Sequence, residues 1–177
     1  MYNIGDNVVY GANGVMTVID ICEQSIADTK RSYYVLKSPV GHKDSLTFVP
    51  VDNEKLTSIM RPLLSKDEVL KIIDDIPSID EVEWIPDNRT RADRFKVIVE
   101  KADPRELVGM IKAIWSVGVR RGEEGKKNYL ADENAMKKAE HVLYSELSSV
   151  LGIKEEDVPA HIAAVAPWIS FKSEAPV

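Results

Sequence analysis

Two periods of apolar residues divide the chain. Between Asn7 and about Val51 they fall in short β-branched and aromatic runs: Val8–Tyr10, Val15–Ile21, Tyr33–Leu36 and Leu46–Val49. Turn-forming residues separate the runs at Gly11-Ala12-Asn13-Gly14, Ala27-Asp28-Thr29-Lys30 and Ser38-Pro39-Val40-Gly41. Successive side chains of a strand alternate, so Val15, Thr17, Ile19 and Ile21 are expected on one face and Met16, Val18, Asp20 and Cys22 on the other. Four or five strands this short predict a small, strongly bent sheet or barrel.

After Pro50 the period becomes helical. Ser65-Lys66-Asp67-Glu68 has the form of a capping box, in which the serine oxygen and the glutamate three residues on satisfy free backbone N–H groups. Val69, Ile72, Ile73 and Ile76 follow as one apolar stripe. A second helix is predicted from about Asn88 to Lys101, with Ala92, Phe95, Val99 and Ala102 at helical spacing. Asp103-Pro104 then supplies a cap and a first-turn proline for a third helix, which carries Leu107, Val108, Ile111, Ile114, Trp115 and Val119 and stops near Gly122. A fourth carries Met136, Ala139, Leu143, Leu147 and Val150 and stops at Gly152. Glu155-Glu156-Asp157 opens a short fifth, and Pro167 and Pro176 mark a loose tail.

Charge is segregated along this pattern. The chain of 177 residues has a formal charge of -6, which argues against coating nucleic acid by bulk electrostatics and requires any phosphate contact to be local. Residues 89–138 hold 13 basic and 8 acidic side chains and form the positive block; residues 52–88 hold 4 and 10. Within the positive block Arg91, Arg94 and Lys101 share roughly one stripe of the second helix, with Arg89 and Lys96 nearby, and Arg120, Arg121, Lys126 and Lys127 cluster after the third. Such a patch either pairs with phosphate oxygens or is an ordinary solvated face.

Other chemistry is sparse. The lone Cys22 rules out an internal disulfide and fits a reducing compartment, and His42, His141 and His161 lack metal-ligand spacing. No metal site, cofactor or catalytic group is assigned. Gly122-Glu123-Glu124-Gly125-Lys126-Lys127 lacks the glycine spacing and hydroxyl of a phosphate loop, and its glutamates repel phosphate. With neither a signal-peptide pattern nor an apolar run long enough to span a bilayer, the chain is expected to be soluble and cytoplasmic, with no membrane or small-molecule partner.

Three stretches in order carry a family resemblance. Gly5-Asp6-Asn7-Val8-Val9-Tyr10-Gly11, with Gly14-Val15 and Val18-Ile19, resembles the opening of the polymerase-interacting domain of the CarD/CdnL and TRCF family. Tyr34-Val35-Leu36 and Leu46-Thr47-Phe48-Val49-Pro50-Val51-Asp52-Asn53 resemble its close. Arg94-Phe95-Lys96, Ala113-Ile114-Trp115, Lys138-Ala139-Glu140 and Glu146-Leu147 resemble the carboxy-terminal half of CarD, so the likeness covers roughly residues 2–155.

The resemblance implies an α+β, two-domain protein: a small Tudor-like β-barrel over residues 1–58, then an all-α helical domain over 59–177 with its core at about 65–166. It implies docking of the first module on the RNA polymerase β subunit through Gln24, Ile26, Phe48 and Val49. The second module would contact promoter DNA at the upstream edge of the bubble and stabilise the open complex, with sigma factor a further candidate partner. Trp84, Arg89, Arg91, Arg94, Lys96, Lys126 and Lys127 are the DNA-contacting candidates.

Two departures bear on those roles. Some family members have arginines where this chain has Gln24 and Phe48, which points to an apolar or backbone-mediated contact here. CarD proteins place a wedge tryptophan where this chain has Arg91; Trp84, seven residues upstream, is either a displaced wedge or a cover for the domain junction. Two other classes remain open: a protein-only adaptor without DNA contact, and a small hydrolase using carboxylates that only folding brings together.

Overall fold

Each β-branched run becomes a strand. In a computed structural model that describes residues 1–26, 29–39 and 45–166, β1 (Asn7–Tyr10), β2 (Val15–Ile26), β3 (Thr29–Lys37), β4 (Leu46–Pro50) and β5 (Met60–Pro62) form one antiparallel sheet in the order β4-β3-β2-β1-β5. A single 3-10 turn at Gly11–Asn13 joins β1 to β2, and α1 (Glu54–Thr57) precedes β5. The turn positions Ala27, Asp28, Val40 and Gly41, together with His42, Pro167 and Pro176, lie outside the described residues.

The sheet is open, which corrects the expected barrel. Its edges are β4 and β5, and no ladder joins them. Tyr2 bridges the gap instead: its N–H donates to Tyr34 Oη on β3 and its hydroxyl donates to the Met60 carbonyl on β5, at 3.3 and 3.0 Å. Beneath it Val8, Tyr10, Met16, Val18, Tyr34, Leu36, Val49 and Met60 form a small core, with Tyr2, Val51, Leu56 and Ile59 packed against it. β5 also extends the sheet to residue 62, past the boundary expected at 58.

A bulge breaks the expected alternation in β2. Val18 pairs with Leu36 and the next pair is Asp20 with Val35, leaving Ile19 as the extra residue. Beyond it the faces exchange: Ile21 lies opposite Tyr34 on the side of the small core, whereas Cys22 lies opposite Tyr33 on the other side. Simple period-two counting assigns both to the wrong face.

The helical part is α2 (Lys66–Asp75), α3 (Asn88–Lys101), α4 (Pro104–Glu123), α5 (Leu130–Leu151) and α6 (Val158–Ile162), with a 3-10 turn at Glu155–Asp157 before α6. The Ser65–Glu68 capping box forms, Asp87 and Asp103 cap α3 and α4, and Gly152 ends α5 in the left-handed conformation at φ 70°. α5 touches α2, α3, α4 and α6 as well as β2. It is buried from Ala139 to Ser148 except at His141, because it meets neighbours on most sides. Val9 and Val15, on the sheet face opposite the small core, enter the helical core. The two modules therefore share packed side chains.

Candidate functional site

Two surfaces carry the residues singled out from the sequence. The first is the β4 edge. The Val51 N–H donates to the Ser32 carbonyl, and Val49 and Thr47 follow in the same ladder phase opposite Tyr34 and Leu36. The alternation of an antiparallel ladder then turns the N–H and C=O groups of Leu46 and Phe48 away from β3. These groups have no strand partner among the described residues and lie on an outer edge, with both side chains exposed, Phe48 to 42%. The Phe48 ring meets Tyr33 edge-on at 6.5 Å. Gln24 is exposed opposite Arg31, further along the Phe48 side of the sheet. The opposite edge is blunted by the brevity of β5 and by Pro62, which has no N–H to offer.

The other two docking candidates fare differently. Val49 is fully buried in the small core, so its side chain cannot meet a partner and its role is to hold β4 in register. Ile26 ends β2, and its side chain lies outside the described residues.

The second surface is the basic part of the helical module. Arg91 must be removed from it. Its guanidinium is 2% exposed and forked onto Asp132 at the start of α5, at 3.0 and 2.9 Å. The remaining N–H groups donate to the carbonyls of Ile85 and Pro86 and to Asn88 Oδ1. A guanidinium with this many internal acceptors has no face left for a phosphate. Trp84 belongs to the same assembly: its half-buried ring lies 4.3 Å below the Arg91 guanidinium and meets Phe95 edge-on at 6.2 Å. It thus packs onto α3 rather than over the junction of the modules.

The stack continues outward. Tyr129 lies 5.2 Å from Arg91 and 4.0 Å from Arg121, and Arg121 donates twice to the Lys127 carbonyl. This ladder fastens the α4–α5 loop, with Lys126 and Lys127, beside the amino-terminal end of α3, where Arg89 is exposed. Arg94 and Lys96 are also exposed on α3, the latter 3.8 Å from Glu100.

Several other cations of the positive block are committed internally. Arg105 pairs with Asp75, Lys101 with Glu106, and Lys112 donates to the carbonyls of Ile76, Pro77 and Ile79. Lys126 bonds Glu124 at 2.7 Å, and that bond leads the causes that hold the Glu124 carboxyl below its usual range. Arg89, Arg94, Arg120, Lys127, Lys137 and Lys138 have no ion pair among the described residues. Lys96 and Lys138 line opposite sides of a groove of about 330 Å³ between α3 and α5. The loop positions are legible in the sequence as a basic cluster, whereas Lys137 and Lys138 are not among the DNA-contacting candidates it offers.

Comparison with known proteins bears on the sheet as a whole. The family model described as CarD-like/TRCF RID domain matches residues 2–64, which span all five strands. Over those residues the chain is similar to the CarD-like/TRCF RID domain. A protein of Bacillus subtilis (strain 168) named "Putative transcription factor YdeB" is 23% identical over 161 residues, 89% of this chain and 97% of that protein. The end of the family match at residue 64 agrees with the inclusion of β5 in the sheet. No helix among the described residues is long and apolar enough to cross a membrane.

Proposed function

We propose that this protein is a transcription regulator that docks on the RNA polymerase β subunit through the β4 edge and contacts promoter DNA with its helical module, stabilising the open complex at the upstream edge of the bubble. The RID domain and the YdeB likeness support the transcription-related role. The observation that carries the docking is the β4 edge, where Leu46 and Phe48 combine exposed apolar side chains with backbone groups that have no strand partner among the described residues. A polymerase strand can add to such an edge through main-chain bonds while Phe48 supplies the apolar anchor, and Gln24 flanks the contact. This mode needs no arginine at either position.

The DNA contact rests on Arg89, Arg94, Lys96 and Lys127, with Lys126 available when phosphate displaces Glu124. Without a free indole at the expected position, the contact is electrostatic and does not unstack bases. Docking through the other module lets a modest local affinity suffice. Purified core RNA polymerase should retain the wild-type chain on a column, and the isolated β subunit should do the same. Absence of β-subunit association removes this reading.

A second reading, a protein-only adaptor, is favoured by the internal commitment of Arg91, Arg105 and Lys112. Binding to a forked promoter fragment separates the two, because phosphate contacts weaken steeply as salt rises and an adaptor shows no such binding.

A further inference from the structure

Arg61 lies in a row of side chains aimed at the helices. On β5 it stands opposite Val9 of β1, which stands opposite Val15 of β2, so all three share one sheet face. The two valines bury into the helical core. Apolar contact resists separation but is non-directional, so the valines alone leave the angle between sheet and helices loosely defined.

Arg61 supplies direction. Its Nη1 and Nη2 groups donate to the two carboxylate oxygens of Glu146 at 2.6 and 2.7 Å, and Nη2 also donates to the Ala102 carbonyl at 2.7 Å. Glu146 is 2% exposed and accepts a third bond from the Leu64 N–H at 3.0 Å. One planar fork thus ties the sheet edge to the carboxy-terminal part of α5 and to the left-handed C-cap of α3, at φ 54° on Ala102.

A second tie lies one residue away on α5. Ser145 Oγ accepts the Val15 N–H at 3.1 Å, and a Cβ at Gly14 would sit 2.4 Å from that oxygen. Glycine is required there both by this approach and by its φ of 69°.

We propose that Arg61 and Glu146 are positioning residues: they fix the angle between docking sheet and helical module, so that docking delivers the basic end of α3 to DNA at one defined place. This rests on the docking reading above. The tethering advantage exists only while both contacts can be made at once, and it is lost when the geometry is.

Removing Arg61 alone leaves a sealed carboxylate without its partner and destabilises the fold, so the test uses the uncharged pair Arg61→Met with Glu146→Met. In a Cys22→Ser background, spin labels at Glu54→Cys and Lys137→Cys report the distance between the modules. The wild-type junction gives one narrow distribution, and the double methionine variant broadens it while keeping its helical circular dichroism. Polymerase retention and polymerase-free DNA binding stay unchanged, whereas the gain in open-complex lifetime falls roughly tenfold or more.

A distribution as narrow as wild type overturns the proposal, as does a broadened one with the full lifetime gain. If the chain with Arg61 and Glu146 intact is itself retained by polymerase but gives no lifetime gain, the DNA half of the functional reading fails and takes the delivery claim with it. The distance measurement still decides whether the pair fixes the junction.

Discussion

The guanidinium of Arg91 is forked onto the carboxylate of Asp132, with both side chains sealed from water and the Trp84 ring 4.3 Å beneath the arginine. A buried pair broken on one side leaves an uncompensated charge, at a cost of about 3–5 kcal/mol. Arg91→Met is therefore expected to lower the stability measured by urea unfolding by that amount. Arg91→Met combined with Asp132→Leu recovers most of it. An Arg91 variant of wild-type stability that loses DNA binding would contradict the structural role.

Arg89 and Arg94 behave in the opposite way. Both are exposed and hold no ion pair among the described residues. The double variant Arg89→Ala/Arg94→Ala should change unfolding stability by less than about 0.5 kcal/mol. The slope of log affinity against log salt for a forked promoter fragment should fall by about two, close to one for each lost phosphate contact. An unchanged slope removes these arginines from the interface.

Phe48 and Val49 are neighbours on β4 with separable roles. Phe48→Asp places a charge on the exposed side of the edge strand and should abolish retention by the β subunit while leaving the fold intact. Val49→Ala empties part of the small core and should cost about 2 kcal/mol in urea unfolding, with retention preserved below the unfolding transition. Pull-down and denaturation of the same two variants give both answers.

Two helix caps set the acid behaviour. Hydrogen bonds from the Ser65 hydroxyl and backbone hold the Glu68 carboxyl below its usual range, and those from Thr90 do the same for Asp87. A depressed folded value means that their contribution is complete above the ordinary carboxylate range and is lost as pH falls through the folded value. The first turns of α2 and α3 should therefore open in acid, seen as lower protection against exchange at the Ser65 and Thr90 amides, which donate to these carboxylates. Asp87→Asn keeps a capping oxygen and should remove the acid sensitivity at Thr90 alone.

Local signals in the sequence account for much of the helical part. The Ser65–Glu68 box, Asp103-Pro104 and Gly152 act within a turn of their own positions, and the helix predicted from about Asn88 to Lys101 occupies Asn88–Lys101. What escaped depends on contacts between distant residues. The bulge at Ile19 reverses the faces of β2 without a local marker, and Tyr2 spans the open sheet through partners 32 and 58 residues away. Arg91 looks like any surface cation until α5 brings Asp132 against it, 41 positions later. Glu146 belonged to a stretch resembling the family, but its tie to Arg61 exists only once β5 joins the sheet.

The lifetime of promoter open complexes tests the central claim most directly. Complexes formed by purified polymerase are challenged with a competitor in the presence of the wild-type chain, the Phe48→Asp variant or the Arg89→Ala/Arg94→Ala variant. The wild type is expected to lengthen the lifetime, Phe48→Asp to have no effect at the same concentration, and the double alanine variant to bind polymerase yet lengthen the lifetime less. A wild-type chain that leaves the lifetime unchanged, or a Phe48→Asp variant as effective as the wild type, would contradict the account.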